Sequence, residues 1–140
     1  MKSVNNFRRS SLIKDTIRVL ILDSGQYKNE TIQETLESRG FQVRLVKLNG
    51  KDPEPGVYRD TDIIIFDAGN LTTDGYRRCT TIRQSSPSPL LVLSTLSQPN
   101  VIANMLDCGA DDFITKPVSF EILIAHIHKL TRRARSFKKA

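Results

Sequence analysis

The sequence predicts a three-layer α/β fold, a doubly wound sheet of five parallel strands with helices on both faces. Three observations predict it. Four short apolar runs, at residues 19–22, 63–66, 90–93 and 113–114, are bounded by turn residues, and a fifth at 41–46 partly alternates. Near-continuous Val/Ile/Leu runs of this length fit strands buried on both faces, the condition of a parallel sheet covered by helices. Segments with helical spacing separate the runs, and right-handed crossovers then carry all strand carboxyl ends to one edge, where folds of this class bind ligands.

The helical segments follow in order. Residues 27–38 place Ile32 and Leu36 four apart and stop short of Gly40, a residue suited to a left-handed cap. Residues 48–60 (LNGKDPEPGVYRD) contain Pro53, Pro55 and Gly56, which oppose a regular helix, so the second crossover is expected to be short or absent. A helix over 75–84 follows Asp74, the expected N-cap. The next, over 98–107, has Pro99 in its first turn and ends before Gly109. The last, over 119–131, spaces Phe120, Leu123, Ile127 and Leu130 into one apolar stripe with Ser119 as N-cap.

At 140 residues the chain is long enough for one well-cored domain, and 39% hydrophobic with 26% charged residues is ordinary for a soluble protein. No apolar run reaches the roughly 18 residues of a membrane helix, and the start (MKSVNNFRRSS) lacks the apolar stretch of a signal peptide. Cys79 and Cys108 fit no metal spacing and read as small reduced side chains of a cytoplasmic protein. The net charge of +6 resides in the ends: residues 1–16 and 129–140 carry ten Lys or Arg against Asp15, while 17–128 hold eleven basic and fourteen acidic groups. This predicts a basic tail over 1–16, a domain over 17–131 and a basic tail or linker over 132–140. With only Phe7 and Phe137 beside these charges, stacking on nucleic-acid bases is poorly provided for.

The polar residue that closes each run carries the chemistry. These residues are Asp23, Asp67, Ser94 and, after Thr115, Lys116. On a shared edge they bring together two carboxylates, a hydroxyl and an ammonium. The carboxylates are hard oxygen ligands suited to Mg²⁺, and the lysine and hydroxyl suit the oxygens of a phosphoryl group. Together they describe a carboxylate nucleophile that accepts phosphate. Taken singly, a strand-end Asp or Ser can instead cap a helix, and Lys116 can be a surface charge or pair with Asp67. Four at successive strand ends favour a site.

The strings RVLILDS, DIIIFDAGNLTTDG, LLVLST and CGADDFITKPVSFEILIAHIHKLTRR resemble, in order, the landmarks of receiver domains of two-component response regulators, over about residues 17–133. The resemblance implies that Asp67 is the phosphoacceptor, served by a sensor histidine kinase or phosphotransfer protein. It makes Asp23, Asp67 and the main-chain carbonyl of Gly69 the Mg²⁺ ligands, Ser94 the switch hydroxyl and Lys116 the charge on the phosphoryl group. It implies a cis Lys116-Pro117 bond. Phe113 has two readings, a core aromatic or the aromatic whose rotamer changes on activation. The stretch with Asp111, Asp112, Glu121, Arg132 and Arg133 resembles DNA-binding (winged-helix) regulators. Those dimerise through their fourth helix, fifth strand and fifth helix, here 98–107, 113–114 and 119–131. DNA would be reached only through an output domain, and no membrane partner is expected. His126 and His128 are expected to face a partner or solvent.

Three positions depart from the family pattern. Ser24 stands where a second acid should follow Asp23, which lowers the expected Mg²⁺ affinity. Leu71 replaces the usual proline, and Thr95 is bulkier than the small residue common after the switch hydroxyl. Two functions therefore stand: a switch phosphorylated on Asp67, and an atypical receiver that binds partners or dimerises without phosphate. Neither is an enzyme beyond self-phosphorylation and self-dephosphorylation. A haloacid-dehalogenase-like phosphatase would need an acid two residues after Asp67, where Gly69 stands. A flavodoxin-like cofactor site would need more hydroxyls than DSGQYKNET offers after the first strand.

Overall fold

A computed structural model describes residues 16–25 and 28–139. The elements run β1 (Arg18–Asp23), α1 (Glu30–Ser38), β2 (Gln42–Lys47), a 3-10 turn (Pro55–Tyr58), β3 (Ile63–Gly69), α2 (Thr73–Ser85), β4 (Leu90–Ser94), α3 (Pro99–Asp107), β5 (Asp112–Thr115) and α4 (Phe120–Lys139). The five strands form one sheet in the order β2-β1-β3-β4-β5, every pair parallel, as the apolar runs predict.

Alternation along the strands divides the core into two layers. Val19, Ile21, Ile63, Ile65, Leu91 and Leu93 pack with Ile32 and Leu36 of α1 and with Leu123, Ile127 and Leu130 of α4. Their neighbours Leu20, Leu22, Ile64, Phe66, Leu90 and Val92 pack with Tyr58 of the 3-10 turn, Cys79 and Ile82 of α2 and Met105 of α3. Each fully buried Leu, Ile or Phe contributes on the order of 1.5–3 kcal/mol, so β3, buried at all its positions, is the main anchor. The second crossover is the single turn expected, and the Arg44 guanidinium fastens it by donating to the carbonyls of Val57 (2.7 Å) and Arg59 (2.9 Å).

Three boundaries differ from expectation. Helix α1 begins at Glu30 instead of residue 27. Helix α2 begins at Thr73, so Asp74 is not its N-cap but a first-turn residue. Its carboxylate is drawn instead to Arg78 (3.0 Å) and Arg77 (3.1 Å), one turn on along the same face. Helix α4 continues past residue 131 through the basic run to Lys139. That run has no Gly or Pro, its arginines and lysines are good helix formers, and cations near a helix C-terminus favour its dipole. The expected basic tail over 1–16 lies, but for Thr16, outside the described residues. Ser119 does cap α4, its Oγ accepting from the Ile122 N–H at 3.4 Å.

Candidate functional site

The carboxyl ends of β1, β3, β4 and β5 place the four strand-end groups together. Asp23 and Asp67 are in register on adjacent strands, and both are buried to 1% exposure. Between Asp67 and Gly69 the β3–β4 register slips, with Gly69 at φ +57, a left-handed conformation that glycine adopts without strain. This bulge returns the Gly69 N–H to Asp67, where it donates to Oδ1 at 2.9 Å. Lys116 lies just beyond β5, and its peptide N–H donates to the Ser94 carbonyl at 2.7 Å. Its side chain crosses the strand ends, and Nζ donates to Asp67 Oδ2 at 2.7 Å. The Lys116-Pro117 bond is cis. Each Asp67 oxygen thus has its own donor, and a full positive charge stands on the outer one.

Asp23 is held by its own loop, Oδ1 accepting from the Gly25 N–H at 2.7 Å. The Ser24 hydroxyl beside it is buried and has no hydrogen-bond partner among the described residues. Two buried carboxylates and an unpartnered hydroxyl oxygen make a hard-oxygen surface that fits a divalent cation. Among the described residues no third acid joins them into a cluster.

Ser94 is fully buried, and its hydroxyl donates to the Gly69 carbonyl at 3.0 Å while accepting the Leu96 N–H at 3.0 Å. The same carbonyl also accepts the Thr95 N–H at 2.8 Å and the Thr95 hydroxyl at 3.1 Å. The Gly69 oxygen expected at the metal is therefore engaged by β4. Sequence reasoning noted Thr95 for its bulk and missed this bond, because the direction of a carbonyl after a bulge is not written in residue types.

Phe113 is half-buried against the α2–α3 layer. His128 is exposed to solvent, as expected, whereas His126 is half-buried. Nδ1 of His126 meets the Asp112 carboxylate, which also takes Lys129 at 3.0 Å, and His128 lies 5.6 Å from the Phe41 ring centre. Burial pushes the Asp112 carboxyl upward. The Phe113 N–H, Lys129 and His126 outweigh that and hold it below the usual carboxylate range. Cys79 and Cys108 are both free, and burial pushes the Cys79 thiol up to about 11, so it stays protonated and unreactive. No helix among the described residues is long and apolar enough to cross a membrane.

Comparisons with known proteins agree with this geometry. Residues 19–128 match the family model of the response regulator receiver domain. The cell cycle response regulator CtrA of Brucella ovis is 32% identical over 120 residues, covering 85% of this chain and 52% of that protein. The sensory transduction protein BceR of Halalkalibacterium halodurans is 29% identical, covering 86% of this chain and 52% of that protein. The chain thus spans about half the length of these curated relatives. Among solved structures, the receiver domain of a signal transduction histidine kinase from Syntrophus aciditrophicus superposes with a TM-score of 0.66 at 31% identity, over 84% of this chain and 91% of that one. With a five-stranded parallel sheet, strand-end acids and a family match along nearly the whole sheet, the chain belongs to the response-regulator receiver domains, signalling switches of two-component systems.

Proposed function

We propose that this domain is switched by phosphorylation of Asp67. A single observation carries the reading: Asp67 is a buried carboxylate on the ligand-binding edge, with the Lys116 ammonium 2.7 Å from Oδ2 and Asp23 in register beside it. An Asp67 oxygen attacks the phosphorus of a phosphohistidine on a sensor kinase or phosphotransfer protein. The P–N bond breaks and an acyl phosphate forms. Lys116 stands where it neutralises the incoming phosphoryl oxygens, and Ser94, one strand over, has a hydroxyl that can turn from Gly69 to donate to them. Receiver domains as a family hold Mg²⁺ at this pocket. Here Asp23 and Asp67 are the residues that would hold it, and the ion would add to the charge neutralisation.

The signal would leave through the face of α3, β5 and α4, altering a partner contact or a homodimer. By likeness to its longer relatives, the domain would act in the cytoplasm and reach DNA only through an attached output domain. A second reading, a receiver that works without phosphate, is favoured by the neutral Ser24 and the engaged Gly69 carbonyl.

The experiment that separates them is intact mass after incubation with acetyl phosphate and Mg²⁺, with Asp67→Asn as control. A gain of one phosphoryl group, absent in the control, is the expected result. No gain even at high Mg²⁺ would leave the phosphate-independent reading.

A further inference from the structure

We propose that Thr95 is a specificity-determining residue that withholds the Gly69 carbonyl from a divalent cation, so that this pocket offers Mg²⁺ its two carboxylates without that carbonyl. The inference concerns the cation and holds whether or not Asp67 accepts phosphate.

A carbonyl oxygen has two lone pairs. That of Gly69 already meets three donors: the Thr95 N–H at 2.8 Å, the Ser94 hydroxyl at 3.0 Å and the Thr95 hydroxyl at 3.1 Å. The Ser94 hydroxyl is a rotor and can turn away. When it does, the two Thr95 donors still fill both lone pairs. An alanine at 95 has only its N–H to offer, so the departure of Ser94 would open one lone pair to a cation.

Ser24, whose N–H donates to the Asp67 carbonyl at 3.2 Å, acts in the same direction. Its hydroxyl is buried without a partner among the described residues, an oxygen available to a cation but carrying no charge. Asp23 and Asp67 supply the negative charge, and Lys116, paired with Asp67 Oδ2, offsets part of it. The pocket therefore attracts a divalent ion weakly, and two separate residues set that weakness: Ser24 through charge and Thr95 through the blocked carbonyl.

The test is a Mg²⁺ titration of the full chain by calorimetry, repeated on Thr95→Ala, Thr95→Ser, Ser24→Asp and Ser24→Asp/Thr95→Ala. Ser24→Asp should tighten binding about tenfold or more by adding a charged ligand, and Thr95→Ala should tighten it further, by several-fold to about tenfold, in the Ser24→Asp background. Thr95→Ser keeps the hydroxyl and should match the parent. An unchanged or weaker affinity in Ser24→Asp/Thr95→Ala than in Ser24→Asp would overturn the role of Thr95. So would a gain in Thr95→Ser equal to that in Thr95→Ala, or no measurable Mg²⁺ binding in any variant. Because the readout is heat of binding, a parent that never gains phosphate would sink the phosphorylation reading and leave this one standing.

Discussion

Two carboxylates of this molecule each hold a lysine. Asp67 takes Lys116 at 2.7 Å, and Asp112 takes Lys129 at 3.0 Å. The chemistry is the same and the surroundings are not. The Asp67 side chain is 1% exposed and its lysine 16%, whereas Asp112 and Lys129 are 23% and 47% exposed. Asp112 also has His126 and the Phe113 N–H, so it keeps partners when one is lost. Among the described residues, Asp67 would keep one hydrogen bond to its carboxylate, the Gly69 N–H. Water can replace a lost partner at the half-exposed site but scarcely at the buried one. An ion pair on this fold is thus worth little where α4 meets β5 and much at the strand ends, where the carboxylate is kept out of water.

Substitutions can break that contrast. The largest effect is expected for Lys116→Met, which leaves Asp67 buried without its cation and should lower stability by about 3 kcal/mol in urea unfolding. Adding Asp67→Asn should restore most of the loss. A loss below about 1 kcal/mol in the single variant would show that Asp67 does not depend on its lysine. A much smaller effect is expected for Lys129→Met, at most about 0.5 kcal/mol and fading in salt. If it equals the Lys116 loss, burial is not what distinguishes the two sites.

The smallest effect should appear as a pH dependence. The folded Asp112 carboxyl lies below its ordinary value, so its contribution is complete above the unfolded pKa near about 4 and is lost as pH falls through the lower folded value. Asp112→Asn should therefore lower stability slightly at neutral pH, converge with the parent at low pH and flatten the stability curve below about pH 4. An unchanged slope below about pH 4 would show that Asp112 is not the group responsible.

How much of this was legible beforehand follows the range of each interaction. The sheet was readable because an apolar run and the polar residue ending it are neighbours in sequence, which is why Asp23, Asp67, Ser94 and Lys116 could be placed at one edge. The single turn at Pro55–Tyr58 was readable for the same reason, as two prolines and a glycine act locally. The partner of His126 was not readable, since Asp112 lies fourteen residues away on another element and meets it only when α4 packs against β5. The bond from Thr95 to Gly69 needs both the bulge in β3 and the β3–β4 register, so no pattern along the chain announces it. The extent of α4 was misjudged because a run of like charges resembles a solvated tail until a helix behind it is there to extend.

That extension has a mechanical consequence. At 1.5 Å per residue, the 20 residues of α4 make a rod about 30 Å long. The four residues of β5 beside it span only about 13 Å. The helix therefore overhangs the strand, and it is seated through Leu123, Ile127 and Leu130 in its first eleven residues. A tilt of about 5° at that seat would carry the far end, nine residues or about 14 Å beyond Leu130, by about 1.2 Å. Arg132, Arg133 and Arg135 ride on this arm in a fixed helical order, so a sub-ångström adjustment at its base is magnified into a displacement of positive charge at its tip.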